Sequence, residues 1–224
     1  MNLFLTGTDT GVGKTYTAVQ LLHAAHTIGL RCAGMKPICC GDRSDAERLL
    51  AASSGGLTID EINPVWLRTP AVPLSASLIE KVAIDEQRLV DALRKLEDRF
   101  DFVLVEGVGG WLVPIRCDFF VSDLAAQLKL PVLVVTQNRL GCLNHTTLTV
   151  RSVIDHGLVC VGVVLNDTPG SADIATNTNA GILRQILRVP VLPMLSEGAA
   201  GLTPEWRAAV GFFDDPALNE VVAN

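Results

Sequence analysis

A glycine-rich stretch near the start of the chain, GTDTGVGKT over residues 7–15, has the composition of a phosphate-binding loop. It follows the apolar run NLFLT and ends in Gly13, Lys14 and Thr15, where a helix is predicted to begin. Glycines let backbone N–H groups converge on an anion, and the helix N-terminus adds positive potential. A lysine there can reach the outer phosphates, and a threonine hydroxyl can bind Mg²⁺. The stretch predicts a nucleotide site; the alternative is a glycine-rich turn without a ligand.

The loop departs from the strict pattern G-x-x-x-x-G-K-[ST], because Thr8 stands where that pattern has its first glycine. The glycine lies one place earlier, at Gly7. This spacing resembles a branch of P-loop ATPases that includes cell-division and plasmid-partitioning proteins. In that branch a lysine at the position of Asp9 reaches the phosphates of a neighbouring subunit. An acid cannot take that role, so the chain is predicted to lack the lysine-based dimer switch.

A second candidate site is Glu106, which ends the apolar run FVLVE and precedes GVGG. Ligands bind at the carboxyl edge of parallel sheets, and an acid there is typical of the second metal-binding element of such ATPases. Gly107, Gly109 and Gly110 would allow a ligand to approach the backbone closely. The alternative is a solvated acid at a strand end, but the nearby phosphate loop favours metal binding.

Two more charged residues follow the second predicted strand, Lys36 directly and Asp45 at the start of the next helix. A lysine at this edge could stabilise the charge that develops during transfer of a γ-phosphoryl group, and Asp45 could share Mg²⁺ with Thr15 and Glu106. Pro37 is expected to end the regular structure after the lysine. The alternatives are that Lys36 is a surface lysine and that Asp45 is only a helix cap.

A third pair of polar residues, Asn166 and Asp167, follows the apolar run VVL. An amide and a carboxylate at the end of a strand could read a purine base through hydrogen bonds. Asn-Asp is also a common turn sequence, which is the alternative.

Six apolar runs, several nearly continuous in Val and Leu, predict parallel strands that are buried on both faces. They cover residues 2–6, 31–36, 101–105, 131–136, 159–165 and 189–195. Helices are expected over residues 13–28, 45–53, 86–98, 144–156 and 172–187. Asn144 is expected to cap its helix at the start and Gly157 to end it. Residues 54–77, rich in Gly, Pro and Ser, are expected to form a long loop of the functional kind.

This alternation of strands and helices predicts a doubly wound α/β fold. A mostly parallel sheet would carry helices on both faces, as in the P-loop NTPase fold. No shift in composition marks a second domain, so residues 1–224 are expected to form a single domain.

Composition argues against several classes of protein. The 224 residues are 49% hydrophobic with a mean hydropathy of +0.36, which predicts a substantial core rather than disorder. The net charge of −6 disfavours a nucleic-acid or anionic-membrane partner. No apolar run is long enough to cross a bilayer, and the N-terminus does not resemble a secretory signal, so a cytoplasmic location is expected. The six cysteines lack C-x-x-C spacing, so no structural metal site is expected.

Together and in this order, the motifs resemble those of the dethiobiotin synthetase family, and the resemblance covers nearly the whole chain. They are GTDTGVGKT, AGMKP, the SDA that begins at Ser44, the NP at 63–64, VEGVGG, LGCLNH over 140–145 and LND. The resemblance implies a single P-loop domain that forms a homodimer, and an ATP-dependent step of biotin synthesis. In that reaction CO₂ adds to an amine of diaminopelargonic acid, ATP phosphorylates the carbamate, the second amine attacks, and phosphate leaves.

The resemblance also implies roles for individual residues. Lys36, facing the carbamate and the γ-phosphate, and Lys14 would be catalytic, and Mg²⁺ would be bound by Thr15, Asp45 and Glu106. The ATP-binding set would also include Thr10, Gly11, Val12, Gly13, Asn166, Asp167, Pro193 and Leu195. The last two would cover the adenine that Asn166 and Asp167 read. The substrate-binding set would be Lys36, Cys40, Gly109, Gly110 and, from the neighbouring subunit, Leu140, Gly141 and Asn144. Cys40 stands where the family often has a small hydroxyl residue.

Three other functions are weighed against this one. A partitioning-type ATPase switch with a protein partner would need the lysine that Asp9 replaces. An amidotransferase-linked synthetase acting on a cobalamin precursor would need a glutaminase domain, for which 224 residues leave no room. A nucleotide sensor without catalysis would form no product.

Overall fold

The computed structural model describes residues 2–167, 173–194 and 202–211. In chain order, its strands are β1 (Leu3–Gly7), β2 (Cys32–Met35), β3 (Ile38–Cys40), β4 (Val65–Leu67), β5 (Phe102–Glu106), β6 (Pro114–Arg116), β7 (Phe119–Phe120), β8 (Val132–Gln137), β9 (Cys160–Asn166) and β10 (Val191–Pro193). Its helices are α1 (Lys14–Thr27), α2 (Ser44–Ala52), α3 (Ile59–Ile62), α4 (Pro73–Glu80), α5 (Glu86–Glu97), α6 (Val121–Leu128), α7 (Cys142–Asp155), α8 (Ile174–Ile186) and α9 (Pro204–Val210).

The centre of the fold is a six-stranded parallel sheet in the order β10-β9-β8-β1-β5-β2. Every residue of β1 and β5 is buried, and because side chains alternate between the two faces of a strand, both faces are covered. Helix α1 packs on β1, β2 and β5, while α7 packs on β8 and β9. The predicted doubly wound fold is therefore confirmed, and all six predicted strands lie in this sheet.

The strand order brings the predicted functional segments together. The glycine-rich loop follows β1, Glu106 is the last residue of β5, and Lys36 comes directly after β2. Strand β5 lies between β1 and β2, and parallel strands end at the same edge of the sheet. Segments that are far apart in the sequence therefore share one end of the molecule.

Strand β2 is an edge strand of the sheet, and the chain between α2 and β4 covers its outer side. The hydroxyl of Ser54 accepts a hydrogen bond from the N–H of Cys32 at 2.9 Å. The carbonyl of Ile62 accepts one from the N–H of Lys36, also at 2.9 Å. Backbone groups that would otherwise lack a partner at this edge are thus satisfied without another strand.

Two details of the sequence-based prediction were wrong. Pro37 does not end the regular structure, since β3 begins at Ile38 and pairs in parallel with β4. A proline removes a single backbone donor, so it separates β2 from β3 without preventing the second strand. Asn144 is not a helix cap, because α7 begins at Cys142 and Gly141, with φ 92°, takes the cap position. Gly157, with φ 74°, lies just past the end of α7 as predicted.

The segment 54–77 contains more regular structure than a loop, because α3, β4 and the first turns of α4 lie within it. Helix α6 and the antiparallel pair β6–β7 were also not predicted. Within the described residues, no helix combines the length and apolar character needed to cross a membrane.

Packing between β2 and the two helices above it depends on Gly34. A Cβ atom there would lie 2.8 Å from Cδ1 of Leu22 and 3.0 Å from Cβ of Leu49, both fully buried. We expect Gly34→Ala to lower the free energy of unfolding by about 1–3 kcal/mol through overpacking, as measured by urea denaturation.

The matched control is Gly55→Ala, because a Cβ at Gly55 has no neighbour within 4 Å. Its free energy of unfolding should change by less than about 0.5 kcal/mol. Equal effects of the two substitutions would contradict the packing explanation.

Candidate active site

The glycine-rich loop, residues 7–15, turns tightly into the N-terminus of α1. Gly11 and Gly13 have φ of 74° and 98°, in the left-handed region that glycine adopts without strain. A Cβ at residue 13 would collide with Nδ2 of Asn166, which donates a hydrogen bond to the carbonyl of Val12 at 2.9 Å. The loop therefore has the conformation of an anion cradle, and the end of β9 packs directly against it.

Lys14 lies on the inner side of this loop. Its Nζ donates a hydrogen bond to the carbonyl of Asp9 at 2.9 Å. Burial lowers the pKa of Lys14 to about 8, and the nearby ammonium of Lys36 acts in the same direction. An anion bound in the loop would offset both effects, so the position favours a ligand with several negative charges.

Lys36 is at the centre of a buried charged cluster. Its Nζ lies 2.6 Å from Oε1 of Glu106 and 3.0 Å from Oδ2 of Asp45. Burial by itself would lower the pKa of Lys36, but the two carboxylates raise it above its ordinary value, so the ammonium stays charged. Burial likewise opposes ionisation of Asp45, and Lys36 overcomes this by lowering the pKa of that carboxyl.

Thr15 completes the cluster. Its Oγ1 lies 2.8 Å from Oδ1 of Asp45 and 2.8 Å from Oε1 of Glu106. Three elements supply Thr15, Asp45 and Glu106, which lie in the first turn of α1, in the first turn of α2 and at the end of β5, and Lys36 directly follows β2. The structure thus brings together the four side chains that the sequence proposed for metal binding and phosphoryl transfer, while their roles stay predictions.

The oxygen atoms of this cluster suit a magnesium ion. A hydroxyl from Thr15 and carboxylates from Asp45 and Glu106 are hard ligands of the kind that Mg²⁺ prefers. Glu106 is 0% exposed, and its Oε2 has no hydrogen-bond partner, an arrangement that a bound cation would relieve. The described residues contain no group of three or more His, Cys, Asp or Glu side chains that would form a complete metal site. Mg²⁺ commonly uses one or two protein carboxylates together with phosphates and water, and Asp45 and Glu106 would supply two.

The cluster and the loop line one cleft of about 640 Å³. Of the residues predicted to hold ATP or substrate, Thr10, Gly11, Gly13, Cys40 and Gly109 also line it. Sequence reasoning missed other lining residues, among them Tyr16, Asp42, Arg48, Val108, Val113 and residues 70–73. The last group falls in the segment 54–77, whose composition did indicate a functional role.

Of two predicted substrate-binding residues, Cys40 lines the cleft and Gly110 does not. Burial raises the pKa of the Cys40 thiol to about 11, and Glu80 adds to the effect, so the thiol stays protonated and can donate a weak hydrogen bond. A Cβ at Gly110 would lie 3.5 Å from the carbonyl oxygens of Gly7 and Thr8. Gly110 therefore packs against the phosphate loop and is not among the residues that line the cleft.

The predicted base-reading residues, Asn166 and Asp167, lie at the end of β9 and do not line the cleft. Asp167 is exposed, and its Oδ1 accepts a hydrogen bond from Nδ2 of Asn138 at 2.6 Å. Asn138 is buried and accepts in turn from Nδ2 of Asn179 at 2.8 Å. Sequence reasoning missed both asparagines; the position of Asn138 directly after β8 was the available signal.

The remaining predicted residues that the structure describes do not line the cleft of their own chain. Pro193 is exposed at the end of β10, and its carbonyl accepts a hydrogen bond from Nε1 of Trp206 at 3.1 Å, whereas Leu195 lies outside the described residues. Leu140 is 80% exposed, and Gly141 and Asn144 are exposed beside it, none of them lining the cleft.

The parallel sheet and the glycine-rich loop define the chain as a P-loop NTPase. A family model described as an AAA domain matches residues 1–199. The septum site-determining protein MinD from Pyrococcus horikoshii OT3, solved with Mg-ADP, is similar with a TM-score of 0.57. It is 18% identical and the match covers 87% of this chain and 82% of that one. A ParA family ATPase from Chlorobium tepidum TLS has a TM-score of 0.52 at 12% identity, covering 99% and 93%. Both show the fold alone.

The chain belongs to the dethiobiotin synthetase family, as its motifs indicated. The ATP-dependent dethiobiotin synthetase BioD of Akkermansia muciniphila is 42% identical over 197 residues, which cover 88% of this chain and 92% of that protein. The enzyme of the same name from Anaeromyxobacter dehalogenans strain 2CP-C is 43% identical over 197 residues, covering 86% and 88%.

The charged cluster generates a prediction about stability. Lys36→Met would leave a fully buried carboxylate without its cation, so we expect the free energy of unfolding to fall by about 3–5 kcal/mol. Glu106→Gln should lower the free energy of unfolding by less, because Lys36 keeps its contact with Asp45. The double variant should be more stable than Lys36→Met alone. Urea denaturation without nucleotide or divalent cations measures all three, and losses that simply add would contradict the coupling.

Proposed function

We propose that this chain is itself an ATP-dependent dethiobiotin synthetase that joins CO₂ to diaminopelargonic acid and closes the cyclic urea. The observation that carries the proposal is the position of Lys36. Its ammonium is buried at the sheet edge beside the phosphate loop, and it lines the same cleft as Lys14. A protein that only binds and hydrolyses a nucleotide has no evident need for this second lysine.

The chemistry explains why the second cation is useful. A carbamate oxygen attacks the γ-phosphorus of ATP and the bond to ADP breaks, so an anion must approach an anionic group. A fixed ammonium at Lys36 offsets that repulsion, and a preorganised charge in a buried site acts strongly. The second amine then attacks the carbonyl carbon of the mixed anhydride, and phosphate leaves with the electron pair.

The phosphate loop and the oxygen cluster would hold the nucleotide during this step. Lys14 and the backbone N–H groups of residues 11–15 would bind the phosphates. Mg²⁺, held by Thr15, Asp45 and Glu106, would neutralise charge on the phosphates when bound. Asn166 and Asp167, with Pro193 and Leu195, are proposed to bind the adenine. We expect the protein to act in the cytoplasm.

A homodimer is part of the proposal. Leu140, Gly141 and Asn144 lie outside the cleft of their own chain, and Leu148, 58% exposed, continues this surface along α7. Exposed residues of this kind are available to a second copy. We infer that they bind the carboxylate tail of the substrate in the neighbouring subunit, as the family resemblance implies.

The proposed function is tested by supplying diaminopelargonic acid, bicarbonate, Mg²⁺ and ATP and by detecting dethiobiotin by mass. We expect Lys36→Met to bind ATP normally, by calorimetry, and to form product about 10²–10³ times more slowly, since one transition-state electrostatic contact is lost. Circular dichroism confirms that the variant is folded at the assay temperature. Product formation at the parent rate would refute the role of Lys36, and ATP turnover that depends on a protein instead of the diamine would favour the ATPase switch.

The dimer is tested with Asn144→Ala. Removing one hydrogen bond to a carboxylate should raise the KM for diaminopelargonic acid about tenfold and leave the KM for ATP unchanged. Asn177→Ala is the control, because Asn177 is an exposed asparagine on α8. Light scattering should give about twice the chain mass of 23.9 kDa. A fully active monomer would count against the cross-subunit role.

A further inference from the structure

A buried amide, Asn63, joins three parts of the active-site wall. Asn63 directly follows α3, and the residue as a whole is 1% exposed. Its Nδ2 donates hydrogen bonds to the carbonyl of Lys36 at 2.7 Å and to the carbonyl of Val65 at 3.0 Å. Its Oδ1 accepts from Nε of Arg43 at 2.8 Å. Both donors and the acceptor of this amide are therefore engaged in a buried setting, where each bond is costly to lose.

The main chain of Lys36 is held on both sides by the same short segment. Its N–H donates to the carbonyl of Ile62 at 2.9 Å, and its carbonyl accepts from Asn63. Pro37 follows, so no neighbouring N–H can take over this position. The backbone from which the catalytic lysine extends is thus fixed by residues 62–63.

Arg43 links Asn63 to helix α2. Its guanidinium donates twice to Asn63, from Nε to the side-chain oxygen and from Nη2 to the carbonyl at 3.0 Å. It also lies 4.5 Å from the ring centre of Trp66 and pairs with the exposed Asp60. Arg43 precedes α2, and Asp45 lies in the first turn of that helix. The Arg43 side chain does not cap the helix, so it has no local role there.

We propose that Asn63 and Arg43 are positioning residues that set the geometry between Lys36 and Asp45. The amide fixes the start of the lysine side chain, and the guanidinium fixes the turn that carries the carboxylate. The Nζ–Oδ2 distance of 3.0 Å depends on both. This inference rests on the proposed synthetase function, because it is for phosphoryl transfer that the separation of the two groups matters.

The alternative is a link that only stabilises the fold. A positioning role and a purely structural role predict different turnover for the folded variant. A displacement of about 1 Å at a reacting group reduces turnover up to about 10²-fold. A purely structural link would lower the melting temperature and leave the turnover of folded protein unchanged.

The test uses Arg43→Met, Arg43→Lys and the control Asp60→Asn. We expect Arg43→Met to lower kcat about tenfold at saturating ATP and Mg²⁺, and to leave the affinity for ATP without Mg²⁺ within about twofold, since the phosphate loop belongs to other elements. Arg43→Lys should not restore kcat, because an ammonium cannot donate to both oxygens of Asn63 in the planar fork geometry. Asp60→Asn should keep the parent kcat. Asn63→Asp, which keeps the acceptor and loses both donors, should lower kcat as Arg43→Met does.

A crystal structure of Arg43→Met gives a second readout that does not require the reaction. We expect the distance from Lys36 Nζ to Asp45 Oδ2 to change by roughly 1 Å or more. An unchanged distance, or a parent-like kcat in folded Arg43→Met, would overturn the inference, as would rescue by lysine. Absence of dethiobiotin from the parent chain would instead overturn the proposed function, and the crystallographic distance would still decide the role of the pair.

Discussion

The structure depends on keeping one ammonium and one carboxylate, those of Lys36 and Glu106, away from water, with the partly exposed Asp45 beside them. Lys36 is 3% exposed and Glu106 is fully buried, so neither charge could remain at this depth alone. Their mutual attraction offsets the loss of hydration only while the atoms stay within hydrogen-bond distance. The strand order, the first turns of α1 and α2 and the segment after α3 all act to maintain that distance. The same requirement that constrains folding therefore also fixes a positive charge in the cleft that the phosphate loop lines.

Much of the fold could be predicted from the sequence, because the strands of a parallel sheet are continuous apolar runs and the polar residues that end them stand out. Glu106 and Lys36 were found in this way and were expected at the same edge of the sheet, whereas the strand order that brings them into contact came from the structure. The short strands β3 and β4 were not found, because three residues have little periodicity and their pairing depends on tertiary contacts. Asn63 was noted only within the NP motif of the family resemblance, and its contacts were not predictable, since its partners Lys36 and Arg43 are separated from it by 27 and 20 positions.

The comparison with partitioning-type ATPases shows how one fold supports different chemistry. Their loop lysine is replaced here by Asp9, whose carboxylate lies 3.9 Å from the guanidinium of Arg139 after β8. This pair is half exposed and contributes little to stability. The pair nevertheless means that the acid in the loop, Asp9, has a partner in its own chain, whereas the lysine of the other ATPases reaches a neighbouring subunit. Function thus follows from a few charges at the sheet edge rather than from the architecture, which both groups share.

The way in which β2 is covered has a consequence outside catalysis. An uncovered edge strand offers a row of backbone donors and acceptors to which other chains can add, and this is a common route to aggregation. Here the serine hydroxyl at 54 and the carbonyl of Ile62 already occupy donors of that edge, at 2.9 Å each. The segment after α2 and the carbonyl that holds the main chain of Lys36 therefore also leave fewer backbone groups on this side of the sheet to which a foreign strand could add.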